Sequence, residues 1–174
     1  MDNGQKLVDA VKKQMLAALA TLNQCIDNCP ASEWDKSHND APFSQVLFHT
    51  LFYVDYYLSE DEHEFKAQPF HAENKSLFRD YEELEYKKAE EVYTKAEITK
   101  YMDFCYAKTN GYFEKAEAEN LFLKSTHRDM QNIEFIIYIT RHVQHHAAQL
   151  GLRIQQVTGK ELRWEPSGWD RPQN

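Results

Sequence analysis

Cysteine is scarce in this chain: 174 residues contain three, at Cys25, Cys29 and Cys105. An odd, sparse set without CxxC pairs excludes a disulfide scaffold and a zinc ribbon. Cys25 and Cys29 fall one helical turn apart, which leaves a redox pair open beside the commoner use of cysteine as a small core hydrophobe. Glycine and proline are also few, at five each. With 42% hydrophobic and 13% aromatic residues, that scarcity favours long helices over many short strands joined by turns. Basic residues are outnumbered 20 to 28, for a net charge of −8 and a pI near 5.5. A general binder of phosphate backbones needs a basic face, so nucleic acid is not an expected partner. No apolar run reaches the roughly 18–20 residues of a membrane span. The start MDNGQKLVDAVKK lacks the basic-then-apolar pattern of a signal peptide, so the expectation is a cytoplasmic protein with no membrane partner. Glycine-rich phosphate loops, G-x-S-x-G elbows and HExxH zinc motifs are missing as well.

What is present is helical periodicity. From Leu7 to Cys29 apolar residues recur at three- and four-residue spacing through Leu7, Val8, Val11, Met15, Leu16, Leu19, Leu22 and Ile26, and Pro30 ends the run. Pro42 suits the first turn of a second helix, PFSQVLFHTLFYVDYYL, dense in Phe and Tyr. Residues 59–93 are charged, hold Pro69 and show broken periodicity; they read as a long connection with some short helix. Thr94 and Glu97 form a T-x-x-E capping box ahead of a third helix carrying Ile98, Tyr101, Met102, Cys105 and Tyr112. A fourth helix runs from about Asn132 to Thr158, with Gly159 placed to cap it. The expectation is an all-α single domain over 1–174: a four-helix bundle with one long crossover between helices 2 and 3, and a C-terminal coil folded back over it. The aromatic-rich helices suggest a homodimer.

Three of the eight histidines crowd into RHVQHHAAQLGLR, residues 141–153. His142 and His146 are four residues apart, so both rings project from one helix face with β-carbons roughly 6 Å apart. His145 projects about 60° away from His142 around the helix. A third ligand has to come from another helix, and His49, in the middle of the apolar second helix, is the candidate. Three imidazoles hold zinc at about 2.0–2.1 Å and leave one position open. A single buried histidine is more often a hydrogen-bonded core residue, and an HxxxH pair is commonly a solvated coincidence. The inference therefore rests on all three together. The run Glu60, Asp61, Glu62 and Glu64 and the mixed-sign EELEYKKAEE read as solvated surface. His38, His63, His71 and His127 lie in polar connections and carry no assigned role.

From PFSQVLFHTLFYVDYYL to RHVQHHAAQLGLRIQQVTG the chain resembles the DinB-like family of four-helix metal proteins, which place one histidine in the second helix and close on H-x-x-H-H followed by glutamine, leucine, arginine and glycine. The resemblance implies a metal tripod of His49, His142 and His146 and one divalent ion, zinc or nickel. The activity it implies is metal-dependent hydrolysis or transfer of a low-molecular-weight thiol. Ala147 and Ala148 depart from the pattern, where many relatives carry arginine and glycine. In the enzyme reading a small-molecule substrate sits between helices 2 and 4, lined by Tyr53, Tyr56 and Phe135, with Gln149 and Arg153 as orienting groups. Two other readings stay open: a metal-dependent ligand or partner site without turnover, and a metal-free bundle with hydrogen-bonded histidines.

Overall fold

Leu19, Leu22, Ile26, Phe48, Leu51, Ile98, Met102, Val143 and Leu150, drawn from all four of the periodic segments, meet in one apolar core. The computed structural model describes residues 3–37, 41–78 and 92–170. Among these, six α-helices form and no β-strand, only an isolated bridge between Lys124 and Gln131. The long helices are α1 (Asn3–Asn28), α2 (Phe43–Tyr57), α5 (Lys95–Lys115) and α6 (Asn132–Thr158); the short ones are α3 (Glu62–Ala67) and α4 (Pro69–Glu73). Both α1 and α2 pack against both α5 and α6. No described helix is long and apolar enough to cross a membrane.

Local chemistry accounts for the ends. Thr94 Oγ1 accepts from Glu97 N at 3.2 Å while Glu97 Oε2 accepts from Thr94 N at 2.8 Å, the reciprocal box that starts α5. Gly159 stops α6 in the left-handed region (φ 71°), its N–H donating to Gln155 O at 2.8 Å. Pro42 stands just before α2 rather than in its first turn, its carbonyl accepting from Gln45 and Val46 N–H. Helix α2 is buried around most of its circumference, Phe43, Leu47, Phe48, Leu51 and Val54 being fully enclosed, because α5, α6 and the connection after it cover different sides.

That connection is more ordered than its charge suggests. Asp61 caps α3 by accepting from Glu64 N at 2.8 Å, and Pro69 opens α4. Residues 79–91 of the connection, with all of EELEYKKAEE, and His38 lie outside the described residues. The connection closes on Tyr93, whose ring stacks on Phe48 at 4.3 Å and whose carbonyl accepts from Trp34 Nε1 at 2.7 Å. After Gly159 the chain runs as coil back along α1: Arg163 N donates to Gln24 Oε1, Gly168 N to Lys13 O, and Trp169 packs on Tyr106 of α5. Where Leu162 crosses α6 it meets Gly151, whose added Cβ would stand 3.1 Å from Leu162 Cδ1, so a side chain there would oblige Leu162 to give way by a few tenths of an ångström.

The three thiols are buried and free. Cys25 donates to Ala147 O on α6, and burial pushes its thiol up to about 12. Burial likewise raises Cys29 to about 11 and carries Cys105 well above its ordinary value. They serve as core residues.

Candidate metal centre

His49 lies on the side of α2 that faces α6. The periods of the two helices bring it opposite His142 and His146: ring centroids are 5.3 Å apart for His49 and His142, 5.0 Å for His49 and His146, and 4.7 Å for His142 and His146. One ligand-capable nitrogen from each ring lies within 4.8 Å of the other two, and all three residues are half-buried. His145 is exposed and outside this group, its ring 5.1 Å from that of His146.

The residues fit a divalent ion. A tetrahedral ion with about 2.0–2.1 Å bonds sets neighbouring nitrogens roughly 3.3–3.4 Å apart, and His49 Nε2 and His142 Nε2 are 3.3 Å apart. Gln149 Oε1 is 2.9 Å from His146 Nδ1. A carbonyl oxygen only accepts, so the proton sits on Nδ1 and the lone pair of Nε2 is free, the carbonyl-to-imidazole support typical of metal-bound histidines. Among the described residues His142 Nδ1, on the side of the ring away from His49, is buried without a hydrogen-bond partner.

The electrostatics point the same way. Burial first, then the neighbouring His146, His49 and His145, push His142 down to about 3. Burial also lowers His146, against the opposing hydrogen bond to Gln149. Both rings are therefore neutral near pH 7, which is the ligating form.

The tyrosines continue the histidine line. On α2, His49, Tyr53 and Tyr57 follow at four-residue steps; on α6, Tyr138 and His142 do the same. The Tyr53 ring is 4.9 Å from His49, 5.6 Å from His142 and 5.2 Å from Tyr57. Beyond Tyr53 opens a groove of about 840 Å³ whose wall includes Tyr53, Tyr56, Tyr57, Phe65, His127 and Arg128. Of the five residues expected around a substrate, Tyr53 and Tyr56 line this groove. Phe135 is buried, stacks on Tyr138 and His127, and borders a separate cavity of about 500 Å³. Gln149 supports His146. Arg153 donates to Lys36 O at 2.7 Å and Ala41 O at 3.2 Å and lies over the Phe43 ring, tying α6 to the segment before α2.

Two features escape sequence reasoning. His127, taken as a residue of a polar connection, is half-buried, with Nε2 2.7 Å from Ser59 O and its ring against Tyr56 and Tyr57. His71, also taken as one, is fully buried with Nε2 2.8 Å from Asp55 Oδ2. Tyr101 Oη at 2.9 Å, Lys108 Nζ at 2.6 Å and Gln68 Nε2 at 3.1 Å complete the shell around Asp55. The four-residue step from His49 to Tyr53 and Tyr57 was the one available signal for the groove. Comparison of the chain with family models, curated proteins and solved structures finds no match.

Proposed function

We propose that this protein is a metal-dependent enzyme of the DinB-like, four-helix-bundle type, acting on a small molecule by hydrolysis or by transfer of a low-molecular-weight thiol. The observation that carries the reading is the convergence of His49, His142 and His146 from two helices, with two Nε2 atoms already at a tetrahedral edge length. A divalent ion on three neutral imidazoles supplies a Lewis acid and lowers the pKa of a water or thiol that it binds. The protein's own residues do the rest: the three histidines hold the ion, Gln149 fixes the proton of His146, and Tyr53 separates the triad from an aromatic groove that can receive the substrate. The buried, high-pKa thiols supply no nucleophile, so any thiol in the reaction comes from outside.

The test is isothermal titration of metal-free protein with zinc and nickel for the wild type and for alanine variants at 49, 142, 145 and 146. One ion per chain is expected, with binding lost in three variants and kept in His145→Ala. Unchanged affinity in His49→Ala would sink the tripod. Metal binding without turnover of any ester, amide or thiol-acceptor substrate would favour a metal-dependent binding protein instead.

A further inference from the structure

Arg128 stands where the tyrosine line ends. It lies in the turn closed by the Lys124–Gln131 bridge. Its Nη2 donates to Tyr57 Oη at 3.1 Å and to Tyr138 Oη at 3.4 Å. The guanidinium carbon is 5.1 Å from the Tyr138 ring centroid and 5.9 Å from that of Tyr57. One tyrosine comes from α2 and the other from α6, so the cation bridges the two walls that also carry the histidines.

A guanidinium presents five N–H groups in a rigid fork suited to a carboxylate. Among the described residues both of Arg128's hydrogen bonds leave from one nitrogen and end on neutral hydroxyls, and no carboxylate pairs with it. The other charges of the groove are engaged differently. Lys66 is paired with Glu62 at 2.5 Å, and Asp61 is occupied in capping α3. Below Arg128 the groove offers the faces and edges of Tyr53, Tyr56 and Tyr57, arranged from the guanidinium toward the triad.

We infer that the groove binds a flat apolar small molecule carrying one carboxylate, with the carboxylate held in the fork of Arg128 and the apolar body laid on the tyrosines toward His49 and His142. The acidic lip of Glu60, Asp61 and Glu62 opposes a second negative charge, which makes a monoanion the fitting ligand. The inference builds on the metal-centre reading by naming the class of molecule delivered there, but the binding it describes needs no metal.

Metal-free protein is titrated with phenylacetate, phenethyl alcohol, phenethylamine and phenylsuccinate, following binding by calorimetry and by the tyrosine ring resonances. Phenylacetate is expected to bind about tenfold tighter than the alcohol, which corresponds to about 1.4 kcal/mol, and tighter than the amine or the dianion, with tyrosine resonances shifted. Arg128→Gln, at an exposed position and checked for an unchanged circular dichroism spectrum, should abolish the advantage over the alcohol. The inference is overturned if acid and alcohol bind equally, if the amine or the dianion binds better, if Arg128→Gln keeps the preference, or if no probe binds up to about 10 mM. Metal titration of the same preparations separates the two ideas. Loss of the preference with metal binding intact sinks the groove assignment alone, and the reverse result sinks the metal reading alone.

Discussion

Asp55 and His49 stand on the same helix, α2, six residues apart in sequence, and the clusters built around them are made in opposite ways. Around Asp55 every contact is between unlike partners. The carboxylate is wholly buried and receives His71, Tyr101, Lys108 and Gln68. Lys108 in turn donates to Ser59 Oγ at 2.6 Å and Gln68 Oε1 at 2.8 Å. Burial pushes the Asp55 carboxyl up, but the hydrogen bond from His71 and the charge of Lys108 outweigh it and hold the group below its ordinary value. The triad gathers like with like, three imidazoles whose converging nitrogens present lone pairs to one another. A complete set of partners leaves nothing for a ligand to add. The incomplete set is the one that a ligand can finish, so scaffold and site are told apart by satisfaction rather than by burial.

The largest effect should come from breaking the complete cluster. Asp55→Ala leaves the buried His71 and the half-buried Lys108 without their carboxylate and is expected to cost about 3 kcal/mol, read as a shift of the urea midpoint. Alanine at His49 or His142 should cost far less in metal-free protein, and a loss equal to that of Asp55→Ala would erase the distinction. Next in size is metal affinity. Each of the three triad alanines should weaken zinc binding by about 100-fold or more, while Asp55→Asn, if folded, should leave it near the wild-type value.

Acid sharpens the contrast through the order of events. His142 has a folded-state pKa near 3 against about 6.5 when unfolded, so the unfolded chain binds the extra proton between those values. Stability therefore falls as pH drops from about 6.5 toward 3, by about 2 kcal/mol after allowing for partial exposure. Asp55, held below the ordinary carboxylate range, adds its loss only below about pH 4. Denaturation midpoints across this range should show two limbs in metal-free protein, and His142→Ala should shrink the upper limb, to which His146 also contributes, while leaving the lower one. The smallest effect concerns the carbonyl that supports His146. Gln149→Ala should weaken zinc binding about tenfold, through loss of the acceptor for His146 Nδ1; a full loss would mean that Gln149 is itself a ligand.

How much of this was legible in the sequence follows from the same contrast. The four long helices declared themselves by periodicity, and the triad with them, because His49, His142 and His146 all stand in strongly periodic runs whose facing sides fixed what could meet. The Thr94–Glu97 box and the Gly159 cap are local chemistry and needed no partner from elsewhere. Asp55 was invisible for the opposite reason. Its partners lie 13, 16, 46 and 53 residues away along the chain, and His71 sits in a five-residue helix too short to show a period. Arg128 likewise belongs to a turn with no motif, and only the folded α2 and α6 bring two hydroxyls to it.

The concealment of all three thiols has a practical consequence. With each sulfur enclosed and held in its protonated form, the native protein should be silent to alkylating reagents, and labelling should advance only as fast as the helices part. Cys25 against α6 and Cys105 against α2 report on two different seams. The time course of modification at each would thus show which seam opens first, using a clock that the chain already carries inside.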